Sequence, residues 1–285
     1  MTLTLRPAHA DDLADITALQ ARFDTHWFGA PERDESEVAE ELDHSASSVV
    51  VTEDGELVAA AWTDPPRITL TIDPSQAPAP VLATMLSWML ETDGVVDVLS
   101  RDEFLRQALL AAGWHHTRST FELLRTVGAD WILEEPVWPA GIRITDFTAA
   151  TPAQVHNLIY REARWADVTG HVERRLEDWT ALFVTEKDDP AQQVLAWRDD
   201  RLVGVATGRI FADGSGWIAQ LAVARDVRRS GLGRALLLEA FARRIAAGAH
   251  TLGLGVQAEN ERAISLYTSI GLRIEREWQV FAPRP

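Results

Sequence analysis

Residues 217–235, WIAQLAVARDVRRSGLGRA, constrain this chain more than any other stretch. The apolar run Ile218 to Val223 reads as a buried strand. A short arginine-rich loop, Arg225 to Arg229, follows it, and Ser230-Gly231-Leu232-Gly233 then opens a helical run from Arg234 to Ala247. Two glycines let the backbone come close to a ligand, and the first turn of a helix leaves N–H groups unpaired. The helix dipole adds a partial positive charge there, and Arg228, Arg229 and Arg234 add full ones. Such a strand-to-helix junction is a cradle for a pyrophosphate.

Other glycine-rich loops compete for the same residues. A Walker loop needs Gly-Lys followed by Ser or Thr, which this stretch lacks. A dinucleotide fingerprint wants three glycines directly after the strand, whereas Leu236 stands at the third position and Ala224 to Arg228 intervene. Glu259 could serve as its ribose-binding acid, so that reading is not closed. An ordinary strand-to-helix connection with a glycine cap also fits this loop taken alone.

Downstream the pattern continues with a strand, Thr251 to Val256, then Gln257-Ala258-Glu259-Asn260 and a helix, Glu261 to Ile270, ended by Gly271. Ala263 and Tyr267, four residues apart, share one face of that helix. Two short strands, Arg273-Ile274 and Trp278 to Phe281, are expected to finish the chain.

Together, Arg228-x-x-Gly231-x-Gly233 and Asn260-x-x-Ala263-x-x-x-Tyr267-x-x-x-Gly271 resemble the GCN5-related N-acetyltransferase (GNAT) superfamily. The resemblance implies an acetyl-CoA cosubstrate lying in a splay between the fourth and fifth strands. The strand residues Leu221, Ala222 and Val223 would run beside its pantetheine arm. The backbone through Arg228, Arg229, Ser230, Gly231, Leu232, Gly233 and Arg234 would hold its pyrophosphate. Asn260 would touch the pantetheine, with Ala263 on the same helix, and Tyr267 would offer its hydroxyl to the departing thiolate. Some relatives place a glutamate near the start of the fourth strand; Trp217 stands there in this sequence.

The chain also repeats itself. Placing Gly113 on Gly271 lays Asp102–Trp114 over Asn260–Leu272, each an amphipathic helix ended by glycine and preceded by an apolar strand. The openings match too: Leu3 to Pro7 followed by a helix Asp11 to Arg22, and Ile142 to Thr145 followed by a helix Pro152 to Ala163. Two mixed α/β domains are expected, each a twisted, mostly antiparallel sheet flanked by helices: residues 1–127, a connector at 128–141, and residues 142–285. The connector carries Pro136, Pro139 and two tryptophans, so it reads as packed and not floppy. In the first copy the strand Ile68 to Ile72 runs into Asp73-Pro74-Ser75-Gln76-Ala77-Pro78-Ala79-Pro80, which has no glycine or arginine and three prolines without an N–H. Leu109 replaces the tyrosine. The first copy therefore reads as degenerate and the second as catalytic, as in tandem GNAT proteins of the mycothiol synthase type, which the chain resembles over most of its length.

Of the net charge of −16, nearly all lies in the first 130 residues, where 8 arginines face 23 acidic residues. Such a surface repels nucleic acid and anionic membrane, so neither is expected as a partner. The chain has no cysteine, which excludes disulfides and thiolate metal sites, and its histidines show no ligand spacing, so no metal is expected. Without a signal pattern or a membrane-length apolar run, a soluble cytoplasmic protein is expected, as monomer or homodimer.

The reaction implied is attack of a primary amine of a small molecule on the acetyl thioester. A general base is not evident. In the segment 164–171 and just beyond it, Trp165, Asp167, His171 and Glu173 would face the acceptor. Gln220 could orient a water, and Trp217 with Trp278 could form an aromatic wall. Two other functions stay open: a non-catalytic acyl-CoA-binding regulator, and an acetyltransferase of peptide or protein N-termini.

Overall fold

The computed structural model describes residues 2–92, 94–128, 131–165, 173–185 and 189–284. In chain order its strands are β1 (Leu3–Pro7), β2 (Ser48–Glu53), β3 (Glu56–Asp64), β4 (Arg67–Ile72), β5 (Val95–Leu99), β6 (Trp114–Thr126), β7 (Ile142–Thr145), β8 (Val194–Arg198), β9 (Arg201–Ile210), β10 (Ser215–Val223), β11 (Thr251–Gln257) and β12 (Arg273–Pro283). The helices are α1 (Leu13–Phe28), α2 (Glu35–Asp43), α3 (Pro78–Glu91), α4 (Glu103–Ala111), α5 (Pro152–Asn157), α6 (Leu176–Phe183), α7 (Leu232–Ala246) and α8 (Glu261–Ser269). A π-helical turn, Leu158–Glu162, extends α5 directly.

Two compact units form, and they do not coincide with the two halves of the sequence. The first comprises Met1–Glu122, Gln257–Asn260 and Glu275–Pro285; the second comprises Leu123–Val256 and Glu261–Ile274. Where two short closing strands were expected after residue 272, a single long strand, β12, runs from Arg273 to Pro283. Its end pairs antiparallel with β5, Trp278 opposite Leu99 and Phe281 opposite Val96. Conversely, β6 carries the first half of the chain past Glu122 into the second unit, where Val127 N–H bonds His250 O at 2.8 Å. Each unit thus completes its sheet with chain from the opposite half of the sequence.

In the first unit the strand order is β1-β2-β3-β4-β5-β12-β6, with β4 and β5 parallel. Its strands are apolar on both faces because helices cover both. Val50, Ala60 and Trp62 pack with Ile16 and Leu19 of α1 and Val38 of α2. The alternate residues Val49, Val51, Ala59 and Ala61 pack with Met85 and Met89 of α3 and Leu109 of α4. The two-residue period of a strand sends neighbours to opposite layers. Asp34 caps α2 by accepting from Glu37 N, with Glu37 reciprocating.

The second unit runs β7-β8-β9-β10-β11, beside the end of β6. Helix α7 lies against β8, β9 and β10, and Gly204 permits the approach: a Cβ there would meet Leu236 Cδ1 at 2.7 Å. The connector is packed where it is described. Trp131 Nε1 donates to Ile270 O at 3.2 Å, and the Arg125 guanidinium lies 5.5 Å from the Trp131 ring centre.

Candidate active site

The site begins where two strands part. β10 pairs in parallel with β11 only from Ser215↔Thr251 to Ile218↔Leu254, though both strands continue. On its other side β10 pairs with β9 to Val223↔Gly204, with a bulge between Ile218 and Gln220. A bulge bends a strand and ends its pairing locally, so Gln220, Leu221, Ala222 and Val223, beyond the bulge at Ala219, stay bonded to β9 while leaving β11. The first unit has the same opening, its β4–β5 pairing stopping at Ile68↔Val96.

The loop beyond Val223 places αL residues at Arg229 (φ 66°) and Gly231 (φ 89°). Gly231 is the N-cap of α7 and no side chain caps that end. The N–H groups of Leu232, Gly233 and Arg234 therefore belong to an uncapped first turn, at the positive end of the helix dipole. Alternating turn conformations that turn successive N–H groups inward form an anion-binding concavity. Around Gly233 there is room: a Cβ would find only Val223 Cγ2 at 3.8 Å and Leu266 Cδ2 at 4.0 Å. The same two distances bring the end of β10, the start of α7 and the middle of α8 together. These features suit an elongated ligand with a diphosphate.

The arginines of the loop are not alike. Arg229 is exposed. Arg234 is committed to Ser269 Oγ on α8 and to Glu134, both at 2.7 Å. Arg228 donates through Nε to Val223 O at 3.3 Å and through Nη2 to Ala163 O. Burial lowers the Arg228 pKa most, and two nearby cations lower it further: Arg262, which the sequence had not placed at this site, and Arg225 of the same loop. Ser230 Oγ donates to Val227 O at 2.8 Å.

Tyr267, on α8, is 8% exposed, and burial pushes its phenol up to about 12. No hydrogen bond to that hydroxyl forms among the described residues. An ordinary phenol titrates near ~10 and a simple thiol near ~8.5. A buried phenol near 12 remains a hydrogen-bond donor across all physiological pH, but complete proton transfer to such a thiolate is uphill. Ala263 lies one turn before Tyr267 on α8, and Asn260 immediately precedes the helix, its N–H bonded to Gln257 O at 3.0 Å.

The candidate acceptor residues fare unevenly. Asp167 and His171 lie outside the described residues. Trp165 is half-buried just before them. Glu173 pairs with Arg161 at 2.9 Å. Gln220 is buried, and its Oε1 accepts from Trp179 Nε1 at 3.2 Å. Trp217 lies against Gly253, whose Cβ would meet the ring at 2.7 Å. Trp278, expected beside Trp217, belongs to the first unit, against Phe28 at 6.3 Å between ring centres. His156 was missed. Its ring packs on Tyr160 at 4.6 Å and Trp179 at 5.8 Å, and its Nε2 lies 2.8 Å from Arg174 O. A carbonyl only accepts, so Nε2 carries the hydrogen and Nδ1 is the lone-pair nitrogen of the neutral ring. The i, i+4 spacing of His156 and Tyr160 was the available signal.

In the first unit the strands part in the same way, but the loop that follows is built differently. Asp73 accepts from Ser75 N and Oγ at 2.9 and 2.7 Å and from Arg22 Nε at 2.6 Å, which puts a carboxylate where the second unit offers donors. Prolines 78 and 80 begin α3, and Leu109 is fully buried. Among the described residues no group of three or more His, Asp or Glu side chains could hold a metal ion, and no helix is long and apolar enough to cross a membrane.

The family model described as Acetyltransferase (GNAT) family matches residues 153–272. A mycothiol acetyltransferase of Frankia alni is 29% identical over 207 residues, covering 68% of this chain and 62% of that protein. A mycothiol acetyltransferase of Thermobispora bispora is 28% identical over 218 residues, 73% of each chain. The chain thus matches just under two thirds of the length of the Frankia protein. Among solved structures, a GCN5-related N-acetyltransferase from Sphaerobacter thermophilus superposes with a TM-score of 0.80 at 22% identity, covering 99% of this chain and 96% of that one. A tandem GNAT protein from the clavulanic acid biosynthesis pathway gives 0.74 at 15% identity, with 98% of each covered. Motif order, the parted strands and these matches agree: residues 153–272 match the GNAT acetyltransferase family, and the chain as a whole has the fold of tandem GNAT proteins.

Proposed function

We propose that the second unit transfers an acetyl group from acetyl-CoA to a primary amine of a small molecule. One observation carries the reading: β10 leaves β11 after Ile218, directly ahead of an uncapped helix N-terminus whose Gly231 is held at φ 89°. Bound there, acetyl-CoA would supply an activated acyl group on a thioester. The N–H groups of Leu232, Gly233 and Arg234 would hold its diphosphate, and the free edge of Leu221–Val223 would align its amide-bearing arm. Tyr267 would donate a hydrogen bond to the sulfur as negative charge develops on it, and its raised pKa keeps that proton in place until then. The amine must arrive neutral or give its proton to a base or to water.

The relatives' names make the deacetylated amine of mycothiol the first acceptor to test. Calorimetry with acetyl-CoA, followed by coenzyme A release with that amine, glucosamine and polyamines, tests the reading. Micromolar acetyl-CoA binding with amine-dependent thiol release is expected; absence of binding overturns it. Trp217, standing where some relatives carry a glutamate, favours a second reading, a non-catalytic acyl-CoA-binding regulator. Binding without turnover on any amine would select it. We place the protein in the cytoplasm, with neither nucleic acid nor membrane as partner.

A further inference from the structure

We propose that Arg228 is a positioning residue whose side chain ties the diphosphate loop to the end of the helix on the acceptor side, leaving the diphosphate to the backbone of α7. The inference rests on the coenzyme reading above and refines it.

Arg228 has extended backbone after the turn Arg225–Val227. From there its guanidinium reaches two backbone carbonyls, Val223 O behind it and Ala163 O across the loop. Ala163 closes the π-helical turn that extends α5, with its own N–H on Leu158 O at 2.7 Å. Carbonyls at a helix end lack partners within the helix and carry its negative pole, so a guanidinium is a strong partner for them. A second link runs beside the first. Arg201 of β9 donates from Nε to Glu162 Oε2 at 3.0 Å and from Nη1 to Asp226 Oδ2 at 2.8 Å. The last two residues of the helical segment, Glu162 and Ala163, are therefore both tied to the loop 225–228. Arginine's donors form a rigid planar fork, and two carbonyls holding Nε and Nη2 fix its plane, leaving Nη1 alone to reach another partner and no paired edge for bidentate chelation of a phosphate.

The segment so tied carries His156 and Tyr160, which pack with Trp179, and Trp179 bonds Gln220 of β10. Occupation of the α7 N-terminus restrains the loop, and the two links pass that restraint to α5 and its π turn. Coenzyme binding then orders the side of the unit that meets the amine.

The test uses the full chain, with coenzyme A as the probe, read by calorimetry and by hydrogen exchange of peptides covering 155–163. In the wild type, coenzyme A slows exchange there. Glu162→Gln keeps coenzyme A affinity within about threefold, and both it and Arg228→Gln lose that protection. Glu162 is an acid with no reason to contact a phosphate, so it carries the test if the arginine variant does not fold. A loss of affinity of roughly tenfold or more in Arg228→Gln, with Glu162→Gln unchanged, makes Arg228 a phosphate ligand and overturns the inference. Protection that persists in both variants overturns it too. Wild-type protein that binds coenzyme A without protection at 155–163 overturns this inference alone, whereas wild-type protein that binds none overturns the acetyl-transfer reading with it.

Discussion

The ring of Trp217 and the Leu124 side chain occupy the space a side chain at Gly253 would need: a Cβ there would lie 2.7 Å from Trp217 Cζ3, 2.8 Å from its Cε3 and 2.5 Å from Leu124 Cδ2. Trp217 and Gly253 face each other in the last stretch where β10 and β11 still pair. Trp217 thus closes the inner end of the opening by packing across the parallel pair.

Gly253→Ala should therefore cost about 1–3 kcal/mol, as overpacking does, while Trp217→Leu combined with it should recover part of the loss. Urea unfolding of the two single variants and the double variant measures the coupling. Additive losses would show that Leu124, not the ring, sets the cost at Gly253.

Tyr267 gives a pH-dependent prediction. Its folded-state pKa, about 12, exceeds the ordinary value of 10.0, so the stability it contributes is complete below pH 10 and is lost as pH rises toward 12. Two units correspond to roughly 3 kcal/mol. Tyr267→Phe should lose less stability than wild type between pH 9 and 11. In wild type, Tyr160, also raised by burial, adds to the loss. The same variant should lower kcat by about 10²-fold with the acetyl-CoA KM little changed.

The two loop glycines should separate stability from binding. Gly231 has open space around it but φ 89°, so Gly231→Ala should cost about 1–2 kcal/mol of stability through backbone strain. Gly233 has no positive φ and no close neighbour, so Gly233→Ala should fold normally. Its methyl group would stand at the helix N-terminus and should weaken coenzyme A by roughly tenfold. Thermal melts and calorimetry on both variants check the crossover.

In the first unit Arg276 bonds both Glu32 and Glu122, the latter at 3.2 Å, and lies 3.7 Å from the Phe28 ring centre. Burial is the largest influence on Glu122 and holds its carboxyl above the usual range. Arg276→Met removes the positive partner and should destabilise by about 3 kcal/mol at pH 7. A raised carboxyl contributes stability that is present at low pH and lost as pH climbs through its folded value. The variant's deficit should therefore shrink toward pH 5. Urea titrations at the two pH values provide the measurement.

What the sequence made legible was local. Ile218–Val223, Gly231-Leu232-Gly233 and the Ala263–Tyr267 face are patterns a few residues long, and the backbone follows them directly. The parting of β10 from β11 was expected from the family resemblance. The neighbour of each closing strand was not legible, because β6 and β12 alternate in the same way whichever sheet edge they join. Nor were the partners of Arg228, since Ala163 lies 65 residues away. The shift on Tyr267 depends on burial, which periodicity alone does not quantify. His156 offered only a helical spacing to one of two tyrosines, too common a pattern to single out.

Because β12 closes the first sheet and β6 runs into the second, neither gene half encodes a self-sufficient body. A chain cut between the two copies would leave the first sheet without β12 and the second unit without the end of β6. Interlacing of this kind makes each copy depend on the other for a strand, whatever chemistry either performs.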